Sequence, residues 1–413
     1  MGERTYHDPL HGAITLSRQD PAEALAIELI DTAPFQRLRR IRQLGPAFLT
    51  FHGAESSRFT HSLGVLELAR QALQLLGRHH PHLAEHRGVL YAASLLHDLG
   101  HAPLSHTGEE MFGLKHETWS ARLILEHPAL RAPLNALAPG SAEAVADVLT
   151  GRGHPCAAIA ALVSSQLDCD RLDYLLRDSH STGASFGQLD LERILAALTL
   201  GPDGALALHP KGLMAVEHYL VVRNLMYRSV YNHRLNVVCN WLLRQTIALA
   251  RRLGPSEVWA DSVMTRWLWA PQDLDLATFL ANDDIRTGYH LMRWQEEAPA
   301  ELAGLCRRLL ERRLLKATAV CHLPPSQRLE LLAQARRLAE AEGFCAELTC
   351  GLQQSQSRGY HAYKGGLRLW DGLRLQALEQ RSALVRSLAE PVELAWLIHP
   401  AEVAPKLRRL IGV

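Results

Sequence analysis

The sequence predicts a mainly α-helical protein, and three observations carry that prediction. Apolar residues recur at helical spacing from Pro21 to Ala250. Glycine and proline close these runs, as Gly100 and Pro103 do after the segment ending at Leu96. The 413 residues, 47% hydrophobic and 21% charged, suffice for one large core and a second lobe.

In chain order, residues 1–20 read as an extended or turn-rich entry, with Asp8-Pro9 and His11-Gly12 as breakers. Helical periodicity begins near Pro21 (Ala24, Leu25, Ile27, Leu29, Ile30) and resumes at Pro34 (Phe35, Leu38, Ile41). Arg37, Arg39, Arg40 and Arg42 crowd this second helix, at least two of them on a solvated basic face. The rest are available to a phosphate or a neighbouring subunit. Arg58 to Val65 opens a helix with Thr60 as N-cap candidate and His61 in its first turn. His79, His80, His82 and His86 form a surface loop, because Pro81 breaks any ligand spacing.

Residues 141–180 read as helical, Ser179–Gly187 as a polar loop and Gly201–Pro210 as a hairpin-like turn. One long helix is expected from Met214 to Ala250, with Arg223, Tyr227 and Tyr231 on a single face. Gly254-Pro255 marks a boundary between a domain of residues 1–252 and an accessory, oligomerising lobe of residues 253–413. In that lobe Ser256-Glu257 and Asp273 to Leu280 read as helical. A helix from Ala300 to Lys316 aligns Arg308, Arg312 and Lys316, beside Arg307 and Arg313. Such a face is either solvated or a contact for an effector nucleotide or a nucleic acid. Leu348 to Leu369, rich in Gln, Ser and Gly around Arg358-Gly359-Tyr360 and Lys364-Gly365-Gly366, reads as a mobile loop.

A formal net charge of +1 neither demands nor excludes a polyanionic partner. No apolar span is long enough for a membrane helix, and the N-terminus has neither a signal-peptide core nor a myristoylation signal, Tyr6 standing where Ser or Thr is needed. Seven scattered cysteines without a Cys-x-x-Cys pair argue for a reducing compartment, so a cytoplasmic location is expected. Cys169, between two carboxylates, reads as small buried filler.

The chemistry concentrates in Leu95-Leu96-His97-Asp98-Leu99-Gly100-His101-Ala102-Pro103-Leu104-Ser105-His106, directly after an apolar helix. Neutral imidazole and carboxylate suit Mn, Fe, Zn, Ni or Co, and Mg less readily. Two ligands do not hold an ion alone, and companions lie elsewhere. His61 is one; the others are in Asp168-Cys169-Asp170-Arg171-Leu172-Asp173-Tyr174, where Asp170 and Asp173 share a helix face. A buried carboxylate there needs a cation or hydrogen bonds.

His61, His97-Asp98 and Asp170, in this order on successive helices, resemble the H…HD…D signature of the HD-domain metal-dependent phosphohydrolases. Asp8-Pro9-Leu10-His11-Gly12, Gln43-Leu44-Gly45, Arg58-Phe59-Thr60-His61-Ser62-Leu63-Gly64 and Asp170-Arg171-Leu172-Asp173-Tyr174 narrow the resemblance to the deoxynucleoside triphosphate triphosphohydrolase branch, over residues 5–240. The resemblance implies an HD-domain helical core, a divalent metal on His61, His97, Asp98 and Asp170, and hydrolysis of a deoxynucleoside triphosphate to deoxynucleoside and triphosphate. It implies His116 as general acid steered by Glu117, with His101 and His106 at the α-phosphate. Arg58, Arg171 and Arg223 are implied on phosphates, Tyr227 at a position where mammalian relatives carry His, and Gln43, Leu44, Tyr174, Asp178 and Tyr231 around the sugar. A homo-oligomer, dimer or tetramer, is implied as well. An HD-type hydrolase of another nucleotide, or a sensor retaining the metal site, are the alternatives.

Overall fold

The chain opens with a hairpin, Glu3–Asp8 paired antiparallel with Gly12–Ser17. Its turn is built by Asp8, whose Oδ1 accepts from the backbone N–H groups of Leu10 and His11 at 2.9 and 3.0 Å. The entry expected to be extended or turn-rich is thus two extended strands and a turn, anchored by buried Ile14 and Leu16. The computed structural model describes residues 2–362 and 366–411.

Beyond the hairpin the chain is mostly helical. Asp20 caps Pro21–Ile30 by accepting from Ala22 N and Glu23 N, with Pro21 pre-set for the first turn. Thr32 caps the short helix Ala33–Arg37, which tightens into a 3-10 turn at Leu38–Arg40. Arg39 and Arg40 are exposed, as expected for two of the four arginines. Arg37 is buried and donates to the carbonyls of Asn282 and His101.

Three helices position the site. Arg58–Gly77 packs against Arg87–Leu96 on one side and Cys169–Thr182 on the other. Leu63, Leu66, Leu95, Leu172 and Leu175 belong to one continuous hydrophobic core. Gly64 lets the third helix close in: a Cβ there would lie 1.9 Å from Asp173 Oδ1. The N-cap of Arg58–Gly77 is Ser57 rather than Thr60, whose hydroxyl donates back to Ser57 O at 2.9 Å.

The expected helix from Met214 to Ala250 is three pieces: Leu213–Met226, a π-helical turn Tyr227–Tyr231, and Arg234–Leu253. A π turn widens the spiral and rotates the residues beyond it. Arg223, Tyr227 and Tyr231 nevertheless stay in sequence along one side, the Arg223 guanidinium 5.6 Å from the Tyr227 ring centroid and the Tyr227 and Tyr231 centroids 5.0 Å apart. The Gly201–Pro210 region is a hairpin turn between Leu198–Leu200 and Leu206–Leu208, as expected.

Ser256-Glu257 lie in a turn, and the next helices are Ser262–Trp269, Leu276–Leu280 and Asp284–Glu297. Trp267, Phe279 and Trp294 from this stretch join the same core as the N-terminal helices. The helix expected to reach Lys316 ends at Leu310. Arg312 turns the chain with φ 54°, and Lys316 begins the strand Lys316–Ala319. Arg312 Nε donates to Leu49 O at 2.7 Å, so Arg308, Arg312 and Lys316 do not line one face. Much of the expected mobile loop is also ordered: Gly351–Ser357 pairs with Val392–His399, while Lys364 and Gly365 lie outside the described residues. A second, smaller core gathers Val320, Leu331, Leu397 and Leu407.

Candidate active site

His61, His97, Asp98 and Asp170 converge. His61 Nε2 lies 3.0 Å from Asp170 Oδ1, 3.2 Å from His97 Nε2 and 3.6 Å from Asp98 Oδ2. His97 Nε2 lies 3.4 Å from Asp98 Oδ1 and 3.6 Å from Asp170 Oδ1. Ligands about 2.1 Å from one ion stand about 3.0 to 3.5 Å apart, so the donors are already spaced as a shell. His97 Nδ1 is occupied by Ser94 O at 2.9 Å, which turns Nε2 toward the centre.

The donor set fits a divalent cation, as His61 itself shows. It is fully buried, and both its ring nitrogens face carboxylates, Asp173 through Nδ1 at 2.7 Å and Asp170 through Nε2. Burial pulls this imidazole down, yet Asp170 and Asp173 outweigh burial and hold it up at about 10. Burial raises the Asp98 carboxyl, but Arg58, followed by His97 and His101, reverses this and holds it well below the usual range.

A closed ionic ring stands behind His61. Asp173 accepts from Arg177 Nε at 2.7 Å and Nη2 at 3.0 Å, and its Oδ1 meets His11 Nε2 at 2.6 Å. Arg177 Nη1 reaches Asp8 Oδ2 at 2.9 Å, and Asp8 builds the turn that carries His11. Sequence reasoning set Asp173 on the carboxylate helix face and Asp8 and His11 in the entry as breakers, but joined none of them to Arg177 or to His61. The signal was present in the Asp8-Pro9-Leu10-His11-Gly12 word and in the spacing of Asp170, Asp173 and Arg177.

The opposite wall centres on Glu109, which sequence reasoning also missed. Its Oε1 lies 3.0 Å from His101 Nδ1 and 2.9 Å from both His106 Nδ1 and His116 Nδ1. Glu117, expected to steer His116, stands 3.6 Å from Nε2 with its side chain 52% exposed. His116 stacks on His101 with centroids 4.0 Å apart. Burial lowers His116, but Glu109 more than compensates and its pKa is raised. Burial, with Arg58 and His116 nearby, pushes His101 down to about 3, so it is neutral.

Between these walls opens a cavity of about 420 Å³. Gln43, Leu44, Arg58, His97, Asp98, His101, His106, His116, Glu117, Asp170, Arg171, Tyr174, Asp178, Tyr227 and Tyr231 line it. His61 lies beneath its floor and Arg223 behind its wall, donating to Gln166 Oε1 at 3.0 Å. Arg58 is held by the protein: it donates to Asp98 Oδ2 at 2.6 Å, to Ser105 Oγ at 2.9 Å and to Gln43 O at 3.2 Å. Arg171 donates to Ser165 O and leans on Asp168, which caps its helix. Tyr231 donates to Asp178 Oδ2 at 2.9 Å, whereas Asp178 Oδ1 and Gln43 Oε1 are buried without a hydrogen-bond partner.

Residues 58–152 match the HD domain family, and residues 189–350 match the HD associated region. The protein YwfO of Bacillus subtilis is 32% identical over 100% of this chain and 98% of its own length. The deoxynucleoside triphosphate triphosphohydrolase SAMHD1 of Gallus gallus is 29% identical over 60% of this chain, a match that spans 45% of that protein. The crystal structure of a phosphohydrolase from Bacteroides thetaiotaomicron shares 25% identity and a TM-score of 0.82, over 96% of this chain and 99% of that one. With His61, His97 and Asp170 of its signature gathered around one point and Asp98 beside both histidines, the chain belongs to the HD-domain phosphohydrolase family, whose members use a divalent metal ion.

Proposed function

We propose that this protein hydrolyses deoxynucleoside triphosphates to deoxynucleosides and inorganic triphosphate. The observation that carries this reading is the pair of unpartnered polar atoms, Gln43 Oε1 and Asp178 Oδ1, buried on a cavity wall that also exposes His97, Asp98 and Asp170. An orphaned buried polar atom costs about 1–3 kcal/mol, which a sugar hydroxyl, able to donate or accept, recovers. A sugar held between these two atoms has its 5′ side toward the metal donors. The likeness to SAMHD1 of Gallus gallus supports the same substrate class.

His61, His97, Asp98 and Asp170 hold the divalent ion, which supplies Lewis-acid polarisation and lowers the pKa of water when bound. Arg171 lies on the cavity wall as a phosphate contact, with His106 at its mouth. Arg58 holds Asp98 and the Gln43 carbonyl in place, and any phosphate meets it at a guanidinium already engaged. His116, with its raised pKa and its Nδ1 on Glu109, keeps a proton on Nε2 for the departing oxygen. Leu44 and the Tyr174 and Tyr231 rings bound the sugar space, and Tyr231, fixed by Asp178, crowds a 2′-hydroxyl. Tyr227 packs against Tyr231 with centroids 5.0 Å apart. Arg223, behind the wall, reaches a terminal phosphate only if it leaves Gln166.

The same proposal includes a homo-oligomer. Ile285, Tyr289 and Met292 lie 64, 48 and 50% exposed along one face of Asp284–Glu297, an apolar patch suited to a second copy. Arg307, Arg312, Arg313 and Lys316 are exposed, but the helix ends at Leu310 and the chain turns at Arg312, so they do not form the single helix face that was expected to meet an effector nucleotide or a nucleic acid. Purified protein is assayed against deoxy- and ribonucleotides, monophosphates and cyclic dinucleotides with Mg, Mn and Co. Turnover confined to deoxynucleoside triphosphates is expected; preference for a monophosphate or cyclic dinucleotide overturns the reading.

A further inference from the structure

Beside the metal donors lies a second constellation with the makings of a cation site. His101, His106, Glu109 and His116 each offer a ligand atom, and these atoms lie within 4.8 Å of one another. The three Nδ1 atoms face one point, the Glu109 Oε1 oxygen, at 3.0, 2.9 and 2.9 Å. One carboxylate oxygen has two lone pairs and cannot satisfy three imidazole donors well. His101 shows the mismatch directly: it is 0% exposed, and neither its Nδ1 nor its Nε2 has a hydrogen-bond partner of proper geometry.

We propose that His101, His106, Glu109 and His116 form a second binding site for a borderline transition-metal dication, zinc foremost, distinct from the His61, His97, Asp98 and Asp170 centre. Three imidazole nitrogens and one carboxylate oxygen are a tetrahedral zinc donor set, and nitrogen-rich shells disfavour Mg and Ca. The three nitrogens already surround one point, so a turn of the Glu109 carboxyl vacates it for the ion. Each nitrogen then closes by about 0.9 Å to reach a bond of about 2.1 Å. The side chain of His106 is 70% exposed, giving the ion an entry from solvent, while buried His101 supplies the fixed inner ligand.

Occupancy has a consequence for the proposed reaction. His116 and Glu109 would both be ligands, so the proton donor is lost while the first centre stays intact. The site is therefore inhibitory, and its existence does not depend on the identity of the substrate.

The test counts metal on the metal-stripped full chain, with Co²⁺ as spectroscopic probe and Zn²⁺ as competitor. Wild type is expected to bind two Co²⁺ per chain, one of them with visible absorption of tetrahedral intensity that Zn²⁺ abolishes. His106→Ala truncates an exposed side chain and should weaken that ion by more than about tenfold, whereas Asp170→Asn should instead lose the other ion. Circular dichroism checks that both variants fold. A single Co²⁺ in wild type overturns the proposal, as does a His106→Ala protein that retains both ions at unchanged affinity.

Discussion

Asp173 Oδ2 lies 2.7 Å from His61 Nδ1, and through this contact a buried carboxylate fixes the ring that turns Nε2 toward Asp170. The same carboxylate is bound by Arg177 and by His11 at the tip of the N-terminal hairpin. A ribbon remote in sequence thereby acts on the proposed metal donors.

Replacing Asp173 with Asn should weaken divalent-metal binding about 10- to 100-fold, the usual cost of losing an outer partner of a ligating histidine. It also leaves Arg177 short of a counter-charge in a buried setting, with a stability loss on the order of 3 kcal/mol. Metal titration by calorimetry and denaturant unfolding separate the two effects. Unchanged metal affinity in a folded Asp173→Asn protein would remove Asp173 from the account.

Gly64→Ala tests the same contact sterically. The added methyl would meet Asp173 Oδ1 at 1.9 Å and Arg177 Nη2 at 2.5 Å, so the ion pair must shift. A stability cost of about 1–3 kcal/mol accompanies such overpacking. Metal affinity should fall with it, while Gly77→Ala, with open space around its Cβ, should leave metal affinity as in wild type.

Glu109→Gln should move the pH profile of turnover. In wild type burial lowers His116 and Glu109 more than restores it, with Asp98 and Glu117 adding to the rise. Without the carboxylate, His116 gives up its proton at lower pH, so the basic limb of kcat should shift toward acid. A profile identical to wild type would show that the Glu109–His116 pair does not carry the proton.

Asp178 gives a stability prediction with a definite sign. Burial pushes its carboxyl up to about 7, although the Tyr231 hydroxyl acts to lower it. The folded state therefore holds this proton more tightly than the unfolded chain, whose Asp titrates near about 3.9. The associated stability is fully present below about pH 4 and is lost as pH rises through about 7, up to about 4 kcal/mol in all. Asp178→Asn removes this dependence, so wild type should lose stability relative to the variant between pH 4 and 7. Parallel stability curves over that range would contradict the assignment.

The helical architecture was legible from periodicity, because the buried faces of Pro21–Ile30, Arg58–Gly77 and Arg87–Leu96 repeat at helical spacing. His61, His97, Asp98 and Asp170 were legible as an ordered set. The partnerships of Glu109, Asp173 and His11 were not, since each acts by holding another side chain, and sequence spacing shows no such tertiary partner. The break at Tyr227–Tyr231 escaped for a related reason: no Pro or Gly marks it, and local periodicity runs straight through a π turn. The turn at Arg312 was hidden likewise, because a non-glycine residue with positive φ is held there by its bond to Leu49 O.

In the proposed reaction one divalent ion, held by His61, His97, Asp98 and Asp170, serves hydrolysis at the α-phosphorus of a deoxynucleoside triphosphate. Phosphorus-31 NMR of the products formed with Mn²⁺, in the presence and absence of a second nucleotide as activator, tests it most directly. Inorganic triphosphate with free deoxynucleoside is expected, abolished in a folded Asp98→Ala variant. Release of pyrophosphate or orthophosphate instead, or turnover that survives Asp98→Ala, would contradict it.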